Sequence, residues 1–457
     1  MGLRRDISRS LLVLAVAALA AGSCKVRKPK HGETPGTEAP AGSAQVPATA
    51  PTGTEPAPPM ELAVWPALPR SATEAEALVR KRTLRPVEPA GHETTAGEIL
   101  RAAEAAGWGS LLAGERDVVE RIQFVLDRAE RGGRDAYVLW GTRHDSAGQV
   151  AAFRRLVGPG GLRGLTLVVA EQYMADGFWG GVDAGEQAGD DGELDAFVLR
   201  GDRDAFARLA ARHRAGDHAA WKFGYEGDVL ELAVTARGTH VRLAGCNMPL
   251  GAQRRTGLAP LGDGRMLLRL RELHCLLALS RFPPPRRAAM IWGSDHVRPD
   301  GFARFLPADA EVVAVDVFGF RDGELTTESE LAQRLVVLSP VLVPLPDGED
   351  RFALLLPDGV LGGDVDRAGD GGVAPAAGGA AIRVACSVQG RMTIAGRAVA
   401  VGPEDVNLPL DPDDYTFALE AGGLAFLGAL ELREGTRLAL RFDPGERYVS
   451  WVEEAAP

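Results

Sequence analysis

Ala136-Tyr-Val-Leu-Trp140-Gly141-Thr142-Arg143-His144 decides the fold of this chain. Five apolar residues run without a polar break and stop at a glycine. A run of that kind reads as a strand covered on both faces, as strands of parallel sheets are. Similar runs recur at Leu165–Ala170, Val241–Ala244, Ala288–Trp292 and Glu311–Phe318. Around them lie segments with apolar residues three and four apart, the spacing of a helix with one buried face. These are Thr94–Ala106, Arg116–Arg131, Ala147–Leu156, Asp204–His213, His218–Ala236 and Arg265–Leu279. A short helix is expected near Phe302–Phe305, and the Gly- and Asp-rich stretch Gly177–Asp195 reads as a loop. Strands alternating with amphipathic helices predict an α/β fold, a mainly parallel sheet with helices on both faces. In such sheets ligands bind beyond the carboxyl ends of the strands.

Two strand ends carry the same motif. Gly141-Thr-Arg-His144-Asp145 and Gly293-Ser-Asp295-His296 are each G-x-x-H, directly after a strand. A third strand ends in Glu171-Gln-Tyr173. Glycine lets the backbone turn tightly and a ligand come close. Two imidazoles and a carboxylate at neighbouring strand ends suit an open divalent metal site of His144, Glu171 and His296. Asp145 and Asp295 are placed to orient the imidazoles from behind.

The termini say where the chain works. Residues 1–24 hold a basic start, an apolar run from Leu11 to Ala21, and the exit Ala21-Gly-Ser-Cys24. The run is shorter than the ~20 residues a spanning helix needs, so it reads as a secretion signal. The exit resembles a bacterial lipobox, with Ala21 where such boxes usually carry Leu, and implies lipidation at Cys24. Residues 25–60 are rich in Pro, Ala and Thr and read as a disordered tether. The expected location is the cell envelope, with the bilayer as a partner through the Cys24 anchor. If Cys24 is lipidated, three of the four Cys remain, and at most one bridge can form. A net charge of -11 argues against nucleic acid as a partner.

The α/β domain is expected over 61–361. Residues 362–380 are Gly- and Ala-rich and read as a linker. Residues 381–457 change pattern, with short β-like runs divided by turns at Gly396, Asp411-Pro-Asp413, Gly422-Gly423 and Pro444-Gly445. They predict a small C-terminal antiparallel β domain. It weakly resembles PEGA-type envelope modules and is a candidate surface for an envelope protein partner.

The order strand, G-x-x-H, strand, Glu, helices, strand, helix, strand, G-x-x-H resembles the ChaN-like proteins of the haem-binding uptake/Tiki superfamily, which includes TraB and erythromycin-esterase-like proteins. The resemblance covers roughly Asp135 to Phe320, including Asn247-Met-Pro249 after the third central strand. It implies that Gly141, His144, Glu171, Gly293 and His296 are functional. Thr142 stands where ChaN-like members usually carry an acidic residue, as in the Tiki and TraB branch. The haem ligand of that family is a Tyr, for which Tyr173 and Tyr225 are candidates by position. Arg143 and Arg298 are candidate propionate partners, and Trp221 a pocket residue. Trp140 and Trp292 flank the motifs as possible pocket walls.

Three readings follow. One is a lipoprotein that binds haem or an iron complex. The second is a metal-dependent hydrolase, a peptidase or esterase, using His144, Glu171 and His296, with Glu171 a general base if the metal is absent. The third is a non-catalytic envelope scaffold.

Overall fold

The computed structural model describes residues 66–85, 94–143, 147–175, 189–214, 226–258, 264–319, 331, 333–346, 350–357 and 380–455. The expected signal, Cys24, the tether and residues 362–379 of the expected 362–380 linker lie outside the described residues. No helix among the described residues is long and apolar enough to cross a membrane.

The fold is mixed α/β. Its helices are α1 (Ala72–Arg82), α2 (Ala96–Ala106), α3 (Glu115–Gly132), α4 (Ala147–Val157), α5 (Asp191–Arg200), α6 (Arg203–Arg214), α7 (Glu226–Thr239), α8 (Leu250–Arg255) and α9 (Gly264–Leu279). The first nine strands are β1 (Leu112–Ala113), β2 (Ala136–Thr142), β3 (Leu167–Met174), β4 (Arg242–Asn247), β5 (Arg287–Gly293), β6 (Glu311–Gly319), β7 (Leu335–Val337), β8 (Val341–Pro344) and β9 (Arg351–Leu356). Among the described residues, eight of them form one sheet in the order β1-β8-β9-β6-β2-β5-β3-β4. Neighbours from β9 across to β4 run parallel, while β8 is antiparallel to both β9 and β1. The five predicted strands are thus five of the six strands of the parallel run, with β9 the sixth.

Alternation along each strand sorts the side chains onto two faces. Val138, Trp140, Val168 and Ile291 pack with α3, α4, α5 and α7. Tyr137, Leu139, Val169, Met290 and Trp292 pack with α9 and the segment after β5. Trp140 and Trp292 therefore lie in the cores of opposite faces and cannot wall one pocket together. Local signals are consistent with the helices. Thr95 and Glu98 form a capping box that starts α2, and Gly133 ends α3 in the left-handed conformation. The stretch expected as a loop over Gly177–Asp195 differs at its end, where α5 already begins at Asp191. Its acidic first turn suits a helix N-terminus, and Leu194, Phe197 and Val198 form its buried stripe.

The C-terminal strands are β10 (Ala381–Cys386), β11 (Gly390–Ile394), β12 (Arg397–Val401), β13 (Val406–Pro409), β14 (Asp413–Ala421), β15 (Leu424–Leu432), β16 (Thr436–Asp443) and β17 (Tyr448–Ala455). They form two sheets, β13-β10-β16-β17 and β12-β11-β14-β15-β7. Most pairs are antiparallel, but β10 runs parallel to β16, and β15 runs parallel to β7. β7 comes from before the linker, and Leu335, Val337, Ala425 and Leu427 share a core with Ala353 and Leu355 of the large sheet. The small antiparallel β domain expected over 381–457 is met in part: most of its pairs are antiparallel, two are parallel, and a strand from before the linker joins its second sheet. Its apolar alternation needs cover, and β7 and the large sheet supply part of it.

Candidate functional site

The two G-x-x-H strands are neighbours. β2 and β5 pair in parallel, with Gly141 beside Trp292 and Thr142 beside Gly293. Thr142 Oγ1 donates to the Trp292 carbonyl at 3.0 Å. A side chain at Gly141 would bring its Cβ to 2.4 Å from Val297 Cγ2 and 3.2 Å from Ser294 Cα. Glycine there lets the His296 segment fold down over the end of β2.

β3 is irregular at its carboxyl end. Its pairing with β4 steps from Ala170 opposite Gly245 to Met174 opposite Asn247. Extra residues in one strand re-aim its side chains. Glu171 turns toward β5 and α9. Its Oε2 accepts from the Gly293 N–H at 2.7 Å, and its Oε1 accepts from the Arg271 guanidinium. Tyr173 turns to the other face. It is buried against His213, ring centroids 5.1 Å apart, within the core under α5 to α7. Burial, then the Asp190 charge, pushes its phenol well above the ordinary range. The candidate haem ligand is therefore separated from Glu171 by the sheet.

His296 sits in a 3-10 turn over Ser294–His296, immediately after β5. Its imidazole lies between two carboxylates. Nδ1 is 2.8 Å from Glu272 Oε1, and Nε2 is 3.4 Å from Glu171 Oε1. Glu171, Glu272 and His296 are each no more than 2% exposed. Arg269 pairs with Glu272 and with Asp300, the latter at 3.0 Å, and Arg271 Nε donates to Asn247 Oδ1 at 3.2 Å. Three carboxylates thus meet Arg269, Arg271 and the imidazole. That balance is what burial of charge requires, since an unpaired buried ion is heavily penalised. Burial alone would lower the His296 pKa, but Glu171 and Glu272 outweigh it and raise it. Trp292 packs on the imidazole at 4.6 Å between centroids. Trp292 Nε1, Glu272 Oε2 and Asp300 Oδ1 are buried without a hydrogen-bond partner among the described residues. Such atoms are uncommon and collect where a site handles polar groups.

The remaining predicted residues fall as follows. Arg143 is half-buried beside the site, over the Phe318 ring at 4.8 Å, with Nη1 3.2 Å from Ser294 Oγ. Its own N–H donates to Gln149 Oε1 at 2.6 Å. Asp295 does not orient His296, because its half-exposed carboxylate pairs with Arg298. Glu272 does that work instead. His144, Asp145, Trp221 and Tyr225 lie outside the described residues.

Sequence reasoning missed Arg269, Arg271 and Glu272. Their signal was Arg269-Leu-Arg-Glu272 inside a helix rich in apolar residues, with Glu272, Cys275 and Leu279 at three- and four-residue steps. α9 is held to the sheet by a disulfide between Cys246 and Cys275, Cα atoms 4.7 Å apart. The remaining described cysteine, Cys386, is buried and free. Cys246 is the neighbour of Asn247, so the bridge anchors the helix next to the Arg271 contact.

Of the three proposed metal ligands, only Glu171 and His296 are among the described residues, and both already have protein partners. Both Glu171 oxygens are engaged, one by a guanidinium, and Nδ1 of His296 is taken by Glu272. No group of three or more His, Cys, Asp or Glu suited to a metal occurs among the described residues.

No family model matches the sequence, and no curated protein matches it. Among solved structures, the chain is similar to RRSP, a MARTX toxin effector domain from Vibrio vulnificus CMCP6. The identity is 15% and the TM-score 0.28, over 48% of this chain and 38% of that one. A likeness that slight carries no argument about fold or function.

Proposed function

We propose that this chain is an envelope lipoprotein, anchored at Cys24, whose ChaN/Tiki-like α/β domain is a hydrolase working by acid–base chemistry without a resident metal. The observation that carries this reading is the buried imidazole of His296 between Glu272 and Glu171. A histidine with one nitrogen fixed by a carboxylate presents the other in a set tautomer and orientation. Nδ1 is the fixed nitrogen. Nε2 faces Glu171 at 3.4 Å, a looser contact than that of Nδ1, and is the nitrogen placed to act.

On this reading the substrate, an ester or amide, enters at the carboxyl ends of β2, β3 and β5. At pH above its raised pKa, His296 in its neutral form takes a proton from water at Nε2 as the oxygen attacks the carbonyl. It returns that proton to the leaving oxygen or nitrogen. Glu272 holds Nδ1–H throughout, and Glu171 stabilises the imidazolium formed between. Arg271 keeps Glu171 aimed. The disulfide agrees with an oxidising compartment, where such bonds persist. The two C-terminal sheets, the weakly PEGA-like part, serve as the surface for an envelope protein partner.

The haem reading loses support, since Tyr173 faces the other core and Arg298 is held by Asp295. The test is the full chain in detergent, assayed on chromogenic esters and fluorogenic peptides with and without a chelator. Turnover unaffected by the chelator and lost in Glu272→Ala is the expected result. Turnover that needs an added divalent ion would return the metal-dependent alternative.

A further inference from the structure

A second polar cluster lies away from the strand ends. α1, α9 and the 3-10 turn Phe302–Phe305 enclose a groove of about 510 Å³. Four arginines line it, Arg80, Arg85, Arg269 and Arg304, against one carboxylate, Glu76. In a chain of net charge -11, that concentration of cations runs against the composition. Three of the four have partners. Arg80 pairs with Glu76 at 2.8 Å, Arg269 with Glu272 and Asp300, and Arg85 donates to the carbonyls of Pro307 and Ala310. Arg304 has no carboxylate partner among the described residues, and its Nε is buried with no hydrogen-bond partner. Burial, then repulsion from Arg269, lowers the pKa of its guanidinium. The groove also has an apolar side, Leu84 and Met266, and Leu84 is 56% exposed.

We propose that this groove binds a phosphate-bearing anion with an apolar portion, its phosphate on Arg304 and Arg80 and its apolar part on Leu84 and Met266. The guanidinium fork matches phosphate oxygens two at a time, which a point charge cannot do. A second anionic charge answers the second arginine, which favours phosphate over a single carboxylate. The volume is that of a small-ligand site. Two sources share this chemistry, a soluble phosphate ester and a phospholipid headgroup.

The test is calorimetric titration of the full chain in neutral detergent with phenyl phosphate and, separately, with dihexanoyl phosphatidic acid. The expected result is saturable binding of at least one probe, weakened about tenfold in Arg304→Gln and in Arg80→Gln, as loss of one charged hydrogen bond would do. Binding of phenyl phosphate alone assigns the site to soluble phosphate esters, and binding of phosphatidic acid alone to lipid headgroups. Arg80 is 80% exposed, so its substitution leaves the fold intact. No saturable binding of either probe, or binding that both substitutions leave unchanged, overturns the proposal.

Discussion

His296 Nδ1 lies 2.8 Å from Glu272 Oε1, so the imidazole at the end of β5 is fixed by a residue from the middle of α9. The two are 24 positions apart in sequence, and the contact exists because α9 packs on the same face of the sheet as the segment after β5. With Glu171 on the other nitrogen, this pairing sets the charge of the site.

The first prediction concerns that charge. The His296 pKa is raised above the ordinary value of about 6.5. Glu272→Gln should bring it down, read by histidine NMR titration. The sign for stability follows. Below the unfolded value the imidazolium is charged in both states, and its ion pairs stabilise the fold in full. As pH rises through the higher folded value, that contribution is lost. Urea unfolding over a pH series should show this decline in the native chain and a flatter profile in Glu272→Gln. An unchanged His296 titration in the variant would contradict the contact.

Arg271 and Glu171 form a buried pair, and removing one partner strands the other. Arg271→Ala should cost about 3 kcal/mol of stability, while the double variant with Glu171→Gln should recover much of the loss. Denaturant midpoints of the two single variants and the double variant decide it. Additive losses would mean that the two residues are not coupled.

The disulfide closes a sequence separation of 29 residues between β4 and α9. Reduction, or Cys246→Ala with Cys275→Ala, should lower stability by about 3 kcal/mol. Thiol titration of the unreduced, denatured chain should find neither cysteine free. Titration of both as thiols would show that α9 is held by packing alone.

The strand-end geometry should be sensitive to one methyl group. Gly141→Ala places a Cβ at 2.4 Å from Val297 Cγ2, so the segment carrying His296 must move. A loss of about 1–3 kcal/mol is expected, typical of overpacking. A thermal midpoint equal to that of the native chain would mean that the segment is not seated on Gly141.

Much of the sheet was legible in the sequence because β2, β3, β4, β5 and β6 each carry a short apolar run that sets them apart from the helical segments, and Gly141 and Gly293 close the runs of β2 and β5. β7, β8 and β9 escaped, since each is a short run with no flanking helical pattern, and their pairing is set by long-range contacts. At the site, Glu171 and His296 were legible from their strand-end positions. Tyr173 was misplaced because an irregularity in β3 reverses which face it meets, and periodicity of two cannot reveal that. Arg271 and Glu272 were hidden in a helix whose apolar residues drew the eye to packing.

The measurement that bears most directly on the account compares His296→Asn with the native chain in two assays on one preparation, hydrolysis of the ester and peptide panel and hemin titration by the Soret band. The account predicts turnover in the native chain that falls about a hundredfold or more in the variant, with no saturable Soret change in either. No turnover on the panel, together with a saturable Soret change that His296→Asn abolishes, would contradict it and make the strand ends a haem site.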